Sequence, residues 1–448
     1  MLNWALLKLL DPFSDDIVKK MFTEDFPDNP YVMVTASQKL TPKAIVEAML
    51  RAESGKVLKL PYGSPVVLSP WNKILLSPKQ LFQLPTPSTS NVDSATIIGP
   101  NAKKPLKLDI PIMITGMSYG GSLSLKMKMA LAKGAAMVGT STNTGESAVT
   151  HEVRDNAKYL IGQYNRGGLQ TSPELLGQLD AIEVQLGQGA WGGAVESTME
   201  SENIGTHLRK IWHIKDGQDC TIYSRMPGVT STQDIIDLVN NLKEQYDVPV
   251  GIKIAGTDYI EYELEVIAKT NADYIVVDGS EGGTAVAPPT LEDNVGLPTL
   301  HSLVRTINWL EENNERDRFS VIAAGGLTTP GHFLKAIALG ADAVYIGSIA
   351  VFAAIQCEAI KTLPEAPPTQ LSLYIGKYTD RLNVDKAARN LANFLKSCLE
   401  EMKLAVQAVG KYSIKELSKE DLVTVDKELA EFMGIRYAVK PRREHVLS

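Results

Sequence analysis

Residues 323–348 of the chain read AAGGLTTPGHFLKAIALGADAVYIGS, and this stretch decides the fold. It contains two glycine turns, Gly325-Gly326 and Gly347-Ser348, which each close a short apolar strand pattern and have a helical pattern between them. Glycine lets the backbone approach a ligand, and a helix that begins after such a turn adds partial positive charge. In a (β/α)8 barrel the loops after the seventh and eighth strands bind phosphate in this way. The stretch therefore predicts a phosphate site in a barrel, with two ordinary strand–helix turns as the alternative.

The region before this stretch shows the same alternation of short apolar runs and helical patterns. Most of the runs end in clusters of Gly, Ser, Thr or Lys, and the carboxyl ends of the strands form the active-site face of a parallel barrel. The pattern therefore predicts an α/β fold of the (β/α)8 TIM-barrel type. The eight candidate strands are Ile110–Thr115, Ala136–Thr140, Ala181–Leu186, Thr221–Ser224, Val248–Ile254, Tyr274–Asp278, Ser320–Ala324 and Ala343–Ile346.

The length of 448 residues exceeds the roughly 250 that a barrel of this kind needs. Composition divides the chain into an N-terminal α+β extension (1–95), the barrel (96–380) and a charged segment of C-terminal helices (381–448). The opening MLNWALLKLLDPF is too short to span a bilayer and lacks the features of a signal peptide, so we expect a docking helix there. The pattern of the C-terminal helices leaves open whether they wrap the barrel or form a homo-oligomer.

Composition also limits the classes of function. The formal net charge is −7, and no apolar run approaches the length of a membrane span. We therefore expect a cytoplasmic protein with no nucleic-acid partner and no membrane partner. The cysteines Cys220, Cys357 and Cys398 form no ligand spacing, and the histidines are scattered, so we predict no metal site.

Phosphate binding alone does not choose a cofactor, but Lys253 favours a flavin. This lysine lies at the end of the strand pattern VPVGIKI, where a cation would stabilise the negatively charged reduced ring. Met117 and Ser118 follow the first strand and offer contacts to the other edge of the ring. An ion pair at the barrel rim is the alternative role for Lys253.

Several motifs occur in a fixed order along the strand ends. They are GMSYGGSLS (116–124), STNTGES (141–147), Arg166-Gly167-Gly168, EVQLGQGA (183–190), GIKIAG (251–256), DGSEGGTAVAPP (278–289) and the closing AAGG…GADAVYIGS. In this order they resemble the FMN-binding synthase domain of the glutamate synthase family, from about Pro111 to Ser348. The resemblance implies a TIM barrel that holds FMN and a small amino or 2-oxo acid.

The resemblance also implies roles for individual residues. Lys253, Glu146 and Arg166 would be catalytic, with Glu146 and Arg166 on the substrate side. The residues around FMN would be Met117, Ser118, Thr144, Gln185, Lys253, Gly282, Gly283, Gly325, Gly326, Gly347 and Ser348. The pattern leaves open whether Asp278, Glu281 and Trp191 take part in catalysis.

Three departures from the family pattern change the expected reaction. The chain begins at Met1-Leu2 without a glutaminase domain, so ammonia would come from outside or from a separate amidotransferase subunit. Only Cys357 stands where the family usually has three cluster cysteines, so we expect no iron–sulfur cluster and an electron donor that is either soluble or a partner flavoprotein. Gln185 and Trp191 replace two lysines of the family. This loss of positive charge would weaken the binding of a dicarboxylate.

These observations predict an FMN-dependent oxidoreductase that acts on a C=N or C–N bond of a small amino or 2-oxo acid. Glutamate formation from 2-oxoglutarate and external ammonia or amine is the default expectation. The first alternative is an isomerase that uses reduced flavin without net redox chemistry. The second is a non-catalytic FMN-binding subunit of a larger complex.

Overall fold

The computed structural model describes residues 2–25, 28–58, 63–191 and 195–442. The chain divides into two compact units, Met1–Tyr62 and Gly63–Ser448. The first unit is helical in its described part, and its helices are α1 (Leu2–Thr23), α2 (Tyr31–Leu40) and α3 (Pro42–Ser54). The predicted N-terminal helix is therefore present as α1. Helix α3 begins at Pro42 behind the Thr41 cap, because proline suits the first helical turn and the Thr41 hydroxyl accepts the Ala44 amide.

The second unit contains a closed barrel of parallel strands. In chain order these strands are β1 (Ile112–Ile114), β2 (Ser141–Asn143), β3 (Tyr159–Tyr164), β4 (Ala181–Gln185), β5 (Val250–Ala255), β6 (Tyr274–Asp278), β7 (Ser320–Ala324) and β8 (Ala343–Ile346). Neighbouring strands pair in parallel from β2 through to β8, and β8 pairs with β1. A parallel bridge between Gly116 and Asn143 joins the remaining edges. The predicted (β/α)8 fold is therefore confirmed.

Two predicted strands are wrong, and the barrel strands β2 and β3 (Tyr159–Tyr164) were missed. Thr221–Ser224 lies outside the barrel, where Cys220–Ile222 pairs antiparallel with Ser197–Met199 in the long connection after β4. Ala136–Thr140 is the end of a helix and its turn, and the strand begins at Ser141. Strand β2 has the polar sequence STN because part of the barrel interior is polar, so apolar patterning could not find it.

Helices connect the barrel strands and continue into the C-terminal segment. In chain order they are α4 (Leu125–Ala136), α5 (His151–Asn156), α6 (Pro173–Leu176), α7 (Thr206–Ile211), α8 (Thr232–Gln245), α9 (Ile260–Ile267), α10 (Pro289–Asn294), α11 (Thr299–Glu312), α12 (Pro330–Ala338), α13 (Ser348–Ile355), α14 (Thr369–Ser372), α15 (Val384–Ala408) and α16 (Lys427–Met433). Helix α12 begins at Pro330 after the Thr329 cap, as the closing stretch predicts. None of the helices in the described ranges is long and apolar enough to cross a bilayer.

Within the second unit, the segments before and after the barrel in the sequence pack against it. The hairpin of Thr96–Ile98 and Leu106–Leu108 contributes apolar side chains to the barrel interior, together with Met113 and Tyr274. Helix α15 packs along α4, with apolar residues of both helices in one core. Strand Leu422–Thr424 pairs with Ile74–Leu76 and with Arg436–Tyr437. The C-terminal segment thus wraps the barrel, while the domain boundaries at 95/96 and 380/381 stay a prediction.

Candidate active site

The carboxyl ends of the barrel strands bring the predicted site residues to one face. The residues and the strands that they end or follow are Met117 and Ser118 (β1), Thr144 and Glu146 (β2), Arg166 (β3), Gln185 (β4), Lys253 (β5), Gly282 and Gly283 (β6), Gly325 and Gly326 (β7), and Gly347 and Ser348 (β8). This common placement follows from the parallel barrel, in which every strand ends on the same side. The contacts between these residues show which of them form groups.

Lys253 forms a buried ion pair with Asp278. Lys253 Nζ lies 2.9 Å from Asp278 Oδ2, and both side chains are buried. Burial by itself lowers the pKa of Lys253, but the carboxylates of Asp278, Glu183 and Glu146 outweigh it and raise this pKa above its ordinary value. The structure therefore supplies the ion pair that the sequence left as an alternative for Lys253. It lies inside the barrel and places the Lys253 ammonium at the end of β5.

Glu146 and Arg166 form a second buried ion pair. Arg166 Nη2 lies 3.1 Å from Glu146 Oε1, and Arg166 Nε donates to Gln185 Oε1 at 3.4 Å. Burial raises the pKa of Glu146, although Arg166 and Lys253 oppose this. The two residues assigned to the substrate side thus contact each other, and Gln185 joins them from β4.

A polar network that no motif predicted lies in the barrel interior. Glu183 is fully buried, and it accepts hydrogen bonds from Asn143 Nδ2 (3.2 Å), Gln163 Nε2 (2.8 Å) and the Tyr345 hydroxyl (2.9 Å). A signal for it existed in the sequence, because Glu183 and Gln185 are two residues apart and so point to the same side of a buried strand. Polar residues at this spacing in a strand that is otherwise apolar indicate a polar interior.

The turns after β1 and β2 pack directly on each other. Gly145 has a φ of 67°, and a side-chain Cβ at this position would lie 2.5 Å from the Ser118 amide nitrogen. Only glycine fits there, because the left-handed conformation and the close backbone both exclude a side chain. The turn is also held from the long connection after β4, since Trp212 Nε1 donates to Ser147 Oγ at 2.8 Å. Glu146 therefore sits on a turn whose backbone is fixed from two sides.

The glycine turns after β6, β7 and β8 approach each other closely. Gly325 and Gly326 have φ values of 109° and 64°. A Cβ on Gly326 would lie 2.6 Å from Glu281 Cβ, and a Cβ on Gly283 would lie 2.5 Å from Ser348 Oγ. Gly283 and Ser348, which follow different strands and are both assigned to the FMN site, are thus neighbours. Gly283, Gly326 and Ser348 are exposed, and Ser348 begins α13, so backbone near a helix N-terminus is open to an anion.

The structure favours a structural role for Glu281. Its carboxylate accepts the Ser69 amide at 2.6 Å and the Thr299 amide at 2.7 Å, and Thr299 is the first residue of α11. A carboxylate at a helix N-terminus is stabilised by the free amides there. Trp191 ends a short 3-10 turn, but its side chain and residues 192–194 lie outside the described part of the chain. Whether Trp191 takes part in catalysis therefore stays open.

The cysteines show no arrangement for a metal. Cys357 is exposed with Lys386 Nζ 3.3 Å from its sulfur, whereas Cys220 and Cys398 are buried. Among the described residues, no group of His, Cys, Asp and Glu side chains could hold a metal ion. The expectation that the protein carries no iron–sulfur cluster stays a prediction.

Comparisons with known proteins agree with the motifs on the strand ends. A family model described as the conserved region in glutamate synthase matches residues 78–412. The archaeal-type glutamate synthase (NADPH) of Thermotoga neapolitana is 30% identical over 84% of this chain and 78% of its own length. The archaeal glutamate synthase (NADPH) of Methanocaldococcus jannaschii is 34% identical over 77% of this chain and 67% of its own length.

A further relative and a solved structure are also similar to the chain. The glutamate synthase large subunit-like protein of Rhizobium meliloti is 32% identical over 75% of this chain and 80% of its own length. Among solved structures, a flavocytochrome b2 variant aligns with a TM-score of 0.51 at 17% identity, covering 83% of this chain and 80% of that chain. At this level of identity the structural likeness speaks only for the barrel fold.

Proposed function

The chain belongs to the glutamate synthase family, and from this premise we propose that it is an FMN-dependent oxidoreductase that forms or breaks a C–N bond in a small amino or 2-oxo acid. The similarity to named glutamate synthases confirms the family resemblance of the strand-end motifs and the expectation of an oxidoreductase. The observation that carries the proposal is the buried Lys253 ammonium, which lies on the same strand-end face as the glycine turns and the Glu146–Arg166 pair. The default reaction is the formation of glutamate from 2-oxoglutarate and ammonia or an amine.

The residues at the strand ends fit FMN. Gln185 Nε2 is buried and, among the described residues, has no hydrogen-bond partner, so a donor is available to a flavin edge. The glycine turns after β7 and β8 would hold the phosphate, and Met117, Ser118, Thr144, Gly282 and Gly283 would line the rest of the cofactor site. Bound FMN would supply hydride transfer at N5. Lys253 would hold positive charge beside the ring and so favour its reduced form.

The Glu146–Arg166 pair would orient the substrate. Arg166 is the cation that can bind a carboxylate with its planar guanidinium. Glu146 faces it as an anion that can bind a substrate ammonium or iminium nitrogen, and burial lets this carboxyl hold a proton at a higher pH than an ordinary one. The pair would thus hold the two functional groups of an amino acid on either side of its α-carbon.

The sources of electrons and nitrogen are part of the proposal. Relatives of the chain are named for NADPH, so we propose NADPH as the origin of the electrons, either directly or through a partner flavoprotein. Ammonia or an amine would enter from solution or from a separate amidotransferase subunit. The isomerase and the non-catalytic FMN-binding subunit remain the two competing outcomes.

The test begins with the absorbance spectrum of the purified protein. We expect flavin bands, followed by bleaching on anaerobic titration with NADPH, NADH or reduced ferredoxin. Reoxidation by 2-oxoglutarate and ammonia, with one glutamate for every two electrons consumed, supports the oxidoreductase. Turnover without consumption of reductant supports the isomerase, and reoxidation by no oxo acid or imine supports the non-catalytic subunit. Protein that is colourless and gains no thermal stability from FMN overturns the proposal.

A further inference from the structure

A buried carboxylate, Glu183, lies inside the barrel next to the candidate site. It precedes Gln185 by two residues in β4, so both side chains point into the barrel, with Glu183 nearer the amino end. In the sheet register Glu183 is opposite Gly251, and Gln185 is opposite Lys253. A buried carboxylate costs free energy unless hydrogen bonds satisfy it, and Glu183 receives such bonds from β2, β3 and β8. No step of the proposed reaction explains why a charge is kept there.

One of these hydrogen bonds leads directly to the turn that carries Glu146. Asn143 Nδ2 donates to Glu183, while Asn143 Oδ1 accepts the Gly145 amide at 2.9 Å. The amide of Asn143 therefore has one orientation in which both contacts exist, and the carboxylate selects it. Gly145 immediately precedes Glu146 and packs on Ser118. A chain of contacts thus joins Glu183 to the turns after β1 and β2.

The same carboxylate acts on Lys253 through space. Burial lowers the pKa of Lys253, and the carboxylates of Asp278 and then Glu183 are the main groups that raise it. Asp278 contacts Lys253 directly, whereas Glu183 acts without an ion pair to it. Glu183 therefore acts on both functional parts of the site, on the Glu146 turn through a hydrogen bond and on Lys253 through its charge.

We propose that Glu183 is a positioning residue of the site, which orients Asn143 to fix the turn that carries Glu146 and which tunes the electrostatic environment of Lys253. The inference rests on the proposed function, because both effects are read through bound FMN. Its two parts can be separated, since one depends on a hydrogen bond and the other on charge.

The substitution Glu183→Gln separates charge from shape. It keeps an oxygen for the Asn143 amide and removes the negative charge. We expect FMN to bind with affinity within roughly threefold of wild type, because the contact to Asn143 is kept. The midpoint potential of the bound flavin should shift to a more positive value, since one anion near Lys253 is lost and the reduced ring is negatively charged. A residue with a purely structural role would leave this potential unchanged.

The substitution Asn143→Asp tests the hydrogen bond. It places a second carboxylate against Glu183, so the two repel and the Gly145 turn is displaced. We expect FMN to bind roughly tenfold or more weakly, which is the range for loss of a charge-assisted hydrogen bond. In the double variant N143D/E183Q, an amide again faces a carboxylate with the roles exchanged. We expect the double variant to recover most of the lost affinity.

Ser141→Ala is the matched control, because Ser141 lies on the same strand, is buried, and has a hydroxyl without a hydrogen-bond partner in the described structure. It should change neither FMN affinity nor potential. If wild type binds FMN but the double variant is as weak as N143D, or if E183Q leaves the potential at the wild-type value, the inference is wrong while the proposed function stands. If wild type binds no FMN, both fall together.

Discussion

The two sides of the strand-end face present different chemical groups. After β7 and β8, where phosphate would bind, the chain offers glycine backbone with left-handed φ at Gly325 and Gly326. Around β2 to β6, where substrate and ring would lie, it offers buried side-chain charges in the pairs Glu146–Arg166 and Lys253–Asp278. Binding on the first side would depend on the shape of the backbone, and binding on the second side would depend on side-chain charge. Each side should therefore lose its binding or catalytic role through a different kind of substitution.

The largest effect is expected on the charged side, from Lys253→Met. Loss of the ammonium should lower the rate of flavin reduction by about 10²–10³-fold, as for removal of one preorganised electrostatic contact at a reacting centre. The variant should also unfold more easily, because Asp278 loses its partner. The measurement is anaerobic stopped-flow reduction together with thermal unfolding.

A second lysine–aspartate pair provides the control for this prediction. Lys243 Nζ lies 2.8 Å from Asp273 Oδ2 at the amino end of the barrel, away from the strand-end face. Lys243→Met should reduce thermal stability and leave the reduction rate at its wild-type value. In K253M/D278N the stability should recover while reduction stays slow. Recovery of the rate in this double variant would show that Lys253 matters only for folding.

On the glycine side, Gly326→Ala should weaken FMN binding by roughly tenfold or more. The turn would relax away from the left-handed backbone in the free protein, and restoring it for FMN would cost about 1–2 kcal/mol, where about 1.4 kcal/mol is tenfold. The new Cβ would also lie 2.6 Å from Glu281 Cβ. Gly331→Ala in α12 is the control, because its Cβ would meet only Thr329 Oγ1 at 3.8 Å. Fluorescence titration with FMN gives both affinities. Equal affinities would argue against a phosphate site at the turn after β7.

Glu146→Gln tests whether the Glu146–Arg166 pair serves the substrate. We expect turnover to fall by roughly tenfold through loss of a charge-assisted hydrogen bond, with FMN affinity unchanged. Burial raises the pKa of Glu146 above 4.5, so wild-type turnover should decline as pH falls toward that raised pKa and the carboxylate gains a proton. The variant has no carboxylate and should lack this acidic limb. A pH profile of kcat with the same limb in both proteins would exclude Glu146 as its source.

The smallest effect is expected from Lys128→Met, behind the charged side. Lys128 Nζ donates to the Asn143 carbonyl, and burial lowers the pKa of this lysine from 10.5 to about 7. Between these pH values the folded chain binds fewer protons than the unfolded chain, so wild-type stability rises with pH. The variant should melt a few degrees higher at pH about 7 and lose this advantage toward pH about 10. Melting curves at both pH values test this prediction. A higher melting temperature of the variant that does not depend on pH would contradict the lowered pKa of Lys128 as its cause.

The sequence predicted the glycine side better than the charged side. Glycine is needed where φ is positive or where backbones meet, which is a local requirement that a strand–glycine–helix pattern reveals. The charged side depends on which strands are neighbours, and two of the candidate strands were wrong. Strand β2 carries STN, and its Asn143 faces the buried network, so apolar patterning placed the strand on the preceding helix end instead.

The individual residues of the site were predicted from their motifs, but their pairings were not. The sequence left Lys253 with two roles, and the structure shows that the ion pair with Asp278 holds the charge in the barrel interior. The sequence left open whether Glu281 takes part in catalysis, whereas its contacts to the amides of Ser69 and Thr299 favour a structural role. Both outcomes depend on contacts between residues far apart in the chain. No local pattern contains them.

The sequence by itself determined the barrel and the family, because these depend on strand period, glycine turns and motif order. The conformation of the closing AAGG…GADAVYIGS stretch follows from its own residues and those next to it in the sequence. Only the tertiary structure decided which charges neutralise each other and that Glu183 lies buried among Asn143, Gln163 and Tyr345. The physical reason is that backbone conformation is set by local sterics, whereas the energy of a buried charge is set by every group that surrounds it.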